Sequence, residues 1–232
     1  MCAYELRLIR NRRGGTRRLL LTRGCCIRAM GIRVCLYVPN VIGYIRILLV
    51  LTAWIVYDDP ARFVPLYVVS IILDGLDGWV ARRLHQTSRF GAWLDVVIDN
   101  IGRGMLWNIL YDWGWLVSSV EWCAFVCNHS AGGAQWKNSF TQSPVWVRAV
   151  MAKGFKTPLG ILTIAGIHVL PVWLYGYQYD VLSQALCVPH GLQILGILVL
   201  AAGRVLGLAV EMWCVLTHVK LLVLNEEEEK KD

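Results

Sequence analysis

The sequence predicts an all-α membrane protein with six transmembrane helices, and three observations carry that prediction. Of 232 residues, 56% are hydrophobic and 17% charged, whereas an ordinary soluble domain carries about 25% charged residues. Apolar stretches of about 20 residues, the length needed to cross a bilayer, recur from Val38 onward. The basic residues between those stretches fall on alternate sides, as the enrichment of Lys and Arg in cytoplasmic loops requires.

Taken in order, residues 1–35 come first and hold nine arginines against Glu5, so the whole formal charge of +7 belongs to this segment and the other 197 residues net −1. That distribution excludes a basic groove in the body of the protein, and nucleic acid is not an expected partner. The segment has the composition of a mitochondrial leader. It also reads as a cytosolic arm, or as untranslated sequence if Met30 is the start. Residues 36–224 form one predicted six-span domain, with spans near 38–57, 63–83, 91–111, 114–130, 157–177 and 191–222. Residues 225–232 are a charged tail. With the N-terminus cytoplasmic, Arg82, Arg83, Arg89, Lys137, Arg148, Lys153 and Lys156 all fall on the cytoplasmic side, and both ends do too. Trp54, Tyr57, Trp113 and Tyr175 sit near span ends, as interfacial aromatics do. The eight cysteines show no CxxC pair and read as small hydrophobes rather than as a zinc site or a disulfide framework.

One constellation carries chemistry. The second span ends Asp74-Gly75-Leu76-Asp77-Gly78-Trp79-Val80-Ala81-Arg82, and the third begins Gly91-Ala92-Trp93-Leu94-Asp95 and reaches Asp99. Helical spacing puts Asp74, Asp77, Gly78, Ala81 and Arg82 on one face and Gly91, Asp95 and Asp99 on another. The short turn between them predicts neighbouring antiparallel helices with four carboxylates converging near the cytoplasmic end. Acids within a membrane are costly and face a cavity and a partner. Four together need cations, and an all-oxygen set suits one or two Mg2+ or Mn2+ ions rather than zinc. The small residues Gly78, Ala81 and Gly91 leave room for a headgroup. The bland alternative is that the acids pair with Arg82, Arg83 and Arg89, but these lie toward water, and Asp95 and Asp99 lie one to two turns deeper.

These residues match the pattern D-x2-D-G-x2-A-R-x8-G-x3-D-x3-D at all eight fixed positions, a coincidence on the order of 10^-10 per window if each residue has a frequency near 5%. The chain thereby resembles the CDP-alcohol phosphatidyltransferases, most closely the eukaryotic phosphatidylinositol synthases (CDP-diacylglycerol–inositol 3-phosphatidyltransferases). The stretches Val38 to Ile47 and Leu84 to Ala92 add to the likeness. The resemblance implies the fold of that family, a homodimer, and transfer of a phosphatidyl group from CDP-diacylglycerol to a small polyol, myo-inositol, releasing CMP. It implies that Asp74, Asp77, Asp95 and Asp99 hold two Mg2+ or Mn2+ ions, that Gly78, Arg82 and Ser88 contact the CDP-diacylglycerol headgroup, and that Asp99 is the general base. It further implies a place in the endoplasmic reticulum with the site facing the cytosol, while the N-terminal segment leaves a mitochondrial membrane open.

The half of the chain that would hold the acceptor departs from that pattern. Asn100 stands where an Arg usually follows the last Asp, a His-Trp pair is missing from Ser118 to Phe125, and Arg204 and Glu211 replace a Lys and a His. Two other readings therefore stay open: the same chemistry with glycerol phosphate, serine or an aminoalcohol, or an inactive lipid-binding member. Glu121, Arg204 and Glu211 are ionisable groups within spans that read equally as acceptor ligands or as an ion-pair set. His129 and His218 read as interfacial histidines, and Lys153 and Lys156 as attractors of anionic lipid.

Overall fold

The structure, a computed structural model, describes residues 33–132 and 143–229. Most of the Arg-rich extension, Met30, Lys137 and the last three residues lie outside that range. The described residues form eight helices and no strand: α1 (Val38–Ile55), α2 (Pro60–Arg83), α3 (Arg89–Leu110), α4 (Gly114–Gly132), α5 (Val145–Phe155), α6 (Pro158–Gln178), α7 (Val181–Gln184) and α8 (His190–Glu229).

Their starts are set locally. Prolines occupy the first turn of α1, α2 and α6, where a missing N–H costs nothing. Side chains cap three helices: Asp59 accepts from Ala61 N, Ser88 from Gly91 N and Thr157 from Gly160 N. Along α1, Pro39, Asn40, Gly43, Arg46, Val50 and Ala53 are buried, while Val41, Ile45, Leu48 and Ile55 face outward. That split gives α1 one face for the protein and one for lipid.

Four helices are long and apolar enough to cross a membrane: α1, α2, α6 and α8 as far as Leu224. They make the chain an integral membrane protein. The helices expected as third and fourth spans, α3 and α4, are 22 and 19 residues long. Their length suits a span, but Asp95, Asp99 and Arg103 interrupt α3 and Glu121 interrupts α4, so these two do not match the other four in apolarity.

Two further features differ from expectation. The connection before the fifth span contains α5, whose Val147, Val150 and Met151 pack with Val210 and Cys214 of α8. It breaks at Lys153, Gly154 and Phe155, which have φ of 53°, 64° and 65°, and the Thr157 hydroxyl donates back to Ala149 O at 3.0 Å. The second and third spans are also less intimate than their short turn suggested. It is α1 that packs against both α2 and α3, and those two make no contact of comparable extent with each other.

Away from the acids, Ala53, Phe63, Tyr67, Leu106, Leu110 and Tyr175 form a core shared by α1, α2, α3 and α6. The Tyr175 hydroxyl donates to Tyr57 O at 2.7 Å, fastening α6 to the turn after α1. On the other side, α6 and α8 meet backbone to backbone. A Cβ on Gly166 would lie 2.2 Å from Arg204 N, and one on Gly203 would lie 2.1 Å from Leu162 O. Small residues at such a crossing let membrane helices approach closely, and here the approach delivers Arg204 to the interior.

Candidate active site

The four aspartates converge as their spacing predicted, and the group that gathers them is Arg46 of α1. Its Nη2 lies 2.7 Å from Asp74 Oδ1 and 2.7 Å from Asp99 Oδ1; its Nη1 lies 2.8 Å from Asp77 Oδ2 and 2.8 Å from Asp95 Oδ1. The Arg46 side chain is 3% exposed, whereas those of Asp74 and Asp95 are 36% and 43% exposed. One guanidinium thus sits at the focus of four carboxylates, two of which, Asp74 and Asp95, remain open to a ligand from outside. The alternative set aside, pairing of the acids with Arg82, Arg83 and Arg89, is not what gathers them; a residue of the first span makes the arginine contact.

Whether these residues also suit a divalent ion is a matter of charge and donor type. Asp74, Asp95 and Asp99 each offer an oxygen within 4.8 Å of the others. Hard cations such as Mg2+ and Mn2+ prefer an all-oxygen set of this kind. One arginine against four carboxylates leaves an excess of three negative charges, and Arg46 Nε is buried without a partner among the described residues. The donor set and the charge both fit a metal, with the guanidinium standing where a cation is wanted.

Two cavities meet at this cluster. The first is lined by Asp77, Gly78, Arg82, Ser88, Gly91 and Asp95, among others, so it brings together Gly78, Arg82 and Ser88. Around it, Arg82 lays its guanidinium against Gly78, where a Cβ would lie 3.4 Å from Nη1. Ser88 serves as the α3 cap, accepting from Gly91 N at 2.9 Å. Gly91 is small for a packing reason rather than to leave open space, since a Cβ there would lie 2.6 Å from Asn40 Oδ1.

The second cavity opens on the other side of Asp95 and Asp99 and is lined by Asn100, Arg103, Glu121, Thr163, His168 and Glu211 with apolar neighbours. Its polar groups form a chain of contacts. Arg103 Nε donates to Glu121 Oε2 at 2.9 Å, and Arg204 Nη2 donates to Glu121 Oε1 at 3.2 Å. Arg204 Nη1 donates to Glu211 Oε2 at 3.0 Å. Arg103 also donates to Asn100 Oδ1 and lies 3.3 Å from His168 Nδ1. Because an arginine only donates, that His168 nitrogen accepts and the ring carries its proton on Nε2. His168 Nδ1 is itself 3.9 Å from Asp99 Oδ2, and Asp95 lines both cavities.

Sequence reasoning singled out Glu121, Arg204 and Glu211 but passed over Arg46, Arg103 and His168. A signal was present for each arginine. Arg46 is the one charge in an otherwise apolar first span, and Arg103 continues the four-residue spacing of Asp95 and Asp99, so both are intramembrane ionisable residues that mark a site by default. His168 carried the same signal, being an ionisable residue in an otherwise apolar span.

An all-helical membrane protein with an aspartate cluster between two polar cavities is the class that fold and site define. The family model described as CDP-alcohol phosphatidyltransferase matches residues 36–221, and the chain belongs to that family. Among curated proteins, it is similar to CDP-diacylglycerol–inositol 3-phosphatidyltransferase 1 of Arabidopsis thaliana, with 46% identity over 78 residues, 33% of this chain and 34% of the relative. The Saccharomyces cerevisiae CDP-diacylglycerol–inositol 3-phosphatidyltransferase is 38% identical over 90 residues, 38% and 39% of the two chains. The Candida albicans protein of the same name is 35% identical over 115 residues, 44% and 50%. The matches thus span about a third to a half of these relatives' lengths. No solved structure matches the chain.

Proposed function

We propose that the protein transfers the phosphatidyl group of CDP-diacylglycerol to the hydroxyl of myo-inositol, giving phosphatidylinositol and CMP. One observation above the rest supports this: four carboxylates from α2 and α3 meet where two cavities join, one ringed by the D-x2-D-G-x2-A-R motif and the other by hydrogen-bonding side chains. The names of the similar proteins support inositol as the acceptor.

In this reading Asp74, Asp77, Asp95 and Asp99 hold one or two Mg2+ or Mn2+ ions, which supply neutralisation of the diphosphate and of the departing CMP. Gly78, Arg82 and Ser88 receive the headgroup in the first cavity. Asp99, in the wall of the second cavity, takes the proton of the acceptor hydroxyl. The hydroxyl oxygen forms a bond to the lipid-side phosphorus, the bond from that phosphorus to the CMP oxygen breaks, and CMP leaves with the electron pair. The helices α1, α2, α3, α4, α6 and α8 act as six spans, with the site at the cytosolic face of the endoplasmic reticulum and the chain as a homodimer.

Purified full-length protein with Mn2+ or Mg2+, labelled CDP-diacylglycerol and a panel of alcohols tests this by CMP release. CMP dependent on inositol is the expected result; CMP with another alcohol alone would reassign the acceptor. A second reading has an observation in its favour, since Arg46 contacts all four carboxylates and gives them a structural use. An inactive lipid-binding member would release no CMP with any acceptor.

A further inference from the structure

We propose that Glu121 fixes the charge class of the acceptor, by binding Arg103 in the wall of the second cavity together with Arg204 of α8, and so reserves that cavity for an uncharged polyol. This rests on the second cavity being the acceptor site of the proposed reaction.

Glu121 is 4% exposed, and each of its oxygens holds a different arginine, Arg103 from α3 and Arg204 from α8. Arg204 is held a second time, by Glu211 at 3.0 Å. Two arginines and two glutamates therefore cancel. Arg103, the arginine in the cavity wall, is held by Glu121 and also lies 3.7 Å from Asp99, so it is not free to meet an incoming anion; Arg204 Nε has no partner among the described residues, but Arg204 does not line the cavity. A phosphate or carboxylate on the acceptor needs such a free cation, because burying an anion without one is costly. A neutral polyol meets no such obstacle. It needs alternating donors and acceptors, and the cavity lining supplies both in Asn100, Thr163, His168 and the glutamate oxygens. Asn100 Nδ2 is a buried donor with no partner among the described residues, available to a hydroxyl oxygen.

Glu121→Gln keeps the size of the side chain and removes one negative charge, which leaves Arg103 with Asp99 at 3.7 Å and Arg204 with Glu211 at 3.0 Å as their remaining carboxylate partners. The probes are myo-inositol and its monophosphate ester, added to detergent-purified full-length protein, read by the shift in melting temperature and by inhibition of CMP release. Wild type is expected to be stabilised by inositol and not by the monophosphate. The Glu121→Gln protein is expected to bind the monophosphate about tenfold more tightly than wild type does, the scale of one charge-assisted hydrogen bond. Its KM for inositol should rise more than its kcat falls, and Glu121→Asp should restore the wild-type preference. A purely structural role for Glu121 would produce no gain for the anion.

If Glu121→Gln does not fold, Glu211→Gln removes the other glutamate charge from the wall of the second cavity and carries the same expected gain. Equal stabilisation of wild type by inositol and its monophosphate overturns the proposal, as does a folded variant with no gain. If wild type releases no CMP with any acceptor yet is stabilised by inositol alone, the transfer reaction falls and the neutral cavity stands. Stabilisation by neither probe overturns the cavity assignment.

Discussion

Arg46 is one cation shared by four carboxylates, and this sharing governs what substitution at the cluster does. Removing one partner of a buried ionic contact typically costs about 3–5 kcal/mol, because the other charge is left uncompensated. For Arg46→Ala the half-exposed Asp74 and Asp95 soften that loss. A melting temperature lowered by several degrees in chelator is expected. The same substitution frees the oxygens that a metal would use, so added Mn2+ should raise the melting temperature of Arg46→Ala by more than it raises that of wild type. Equal increments would show that guanidinium and metal do not compete for these oxygens. Asp99→Asn tests a different property, since an amide still accepts the hydrogen bond that Arg46 Nη2 gives at 2.7 Å but takes no proton. Transfer should be abolished while CDP-diacylglycerol still binds, measured by retention of labelled lipid; near-normal turnover would remove Asp99 from the role of base.

At the scale of helices, α3 and α4 decide how many times the chain crosses the membrane. Their apolarity is lower than that of α1, α2, α6 and α8 because their charged groups satisfy one another inside the bundle. Arg103 of α3 and Glu121 of α4 are paired at 2.9 Å, so neither is presented to lipid as a bare charge. The turn between the two helices contains Asp112, which is exposed. In a six-span arrangement this turn lies on the same side as the loop carrying the exposed Cys187, opposite the exposed Cys35. A single cysteine introduced as Asp112→Cys should therefore react with a membrane-impermeant maleimide from the Cys187 side. Reaction from the Cys35 side would make α3 and α4 a re-entrant pair and leave four spans.

Across the whole molecule, the parts legible in sequence are those written as local spacing. Helical intervals placed Asp74 and Asp77 together and Asp95 and Asp99 together, and the small residues beside them marked the first cavity. What spacing does not encode is which helix lies between two others. Arg46 joins the aspartates across sequence separations of up to 53 residues, and Arg204 reaches Glu121 across 83, so their partners depended on the packing of α1 and α8. The amphipathic α5 was obscured because three buried apolar residues on an 11-residue helix make a weak pattern beside spans that are apolar all round.

The distance in sequence between those charges also sets an order of assembly. A membrane chain is delivered to the bilayer from its N-terminus, so Arg46 enters ahead of its carboxylates, and Glu121 enters with Arg103 while its second arginine is still 83 residues away. Each stage of insertion therefore leaves a buried charge waiting for a helix not yet made. The last helix relieves the final one by sliding Gly203 against Gly166 and bringing Arg204 to Glu121. A chain that stops short of α8 carries its own mark of incompleteness, a half-paired glutamate in the membrane.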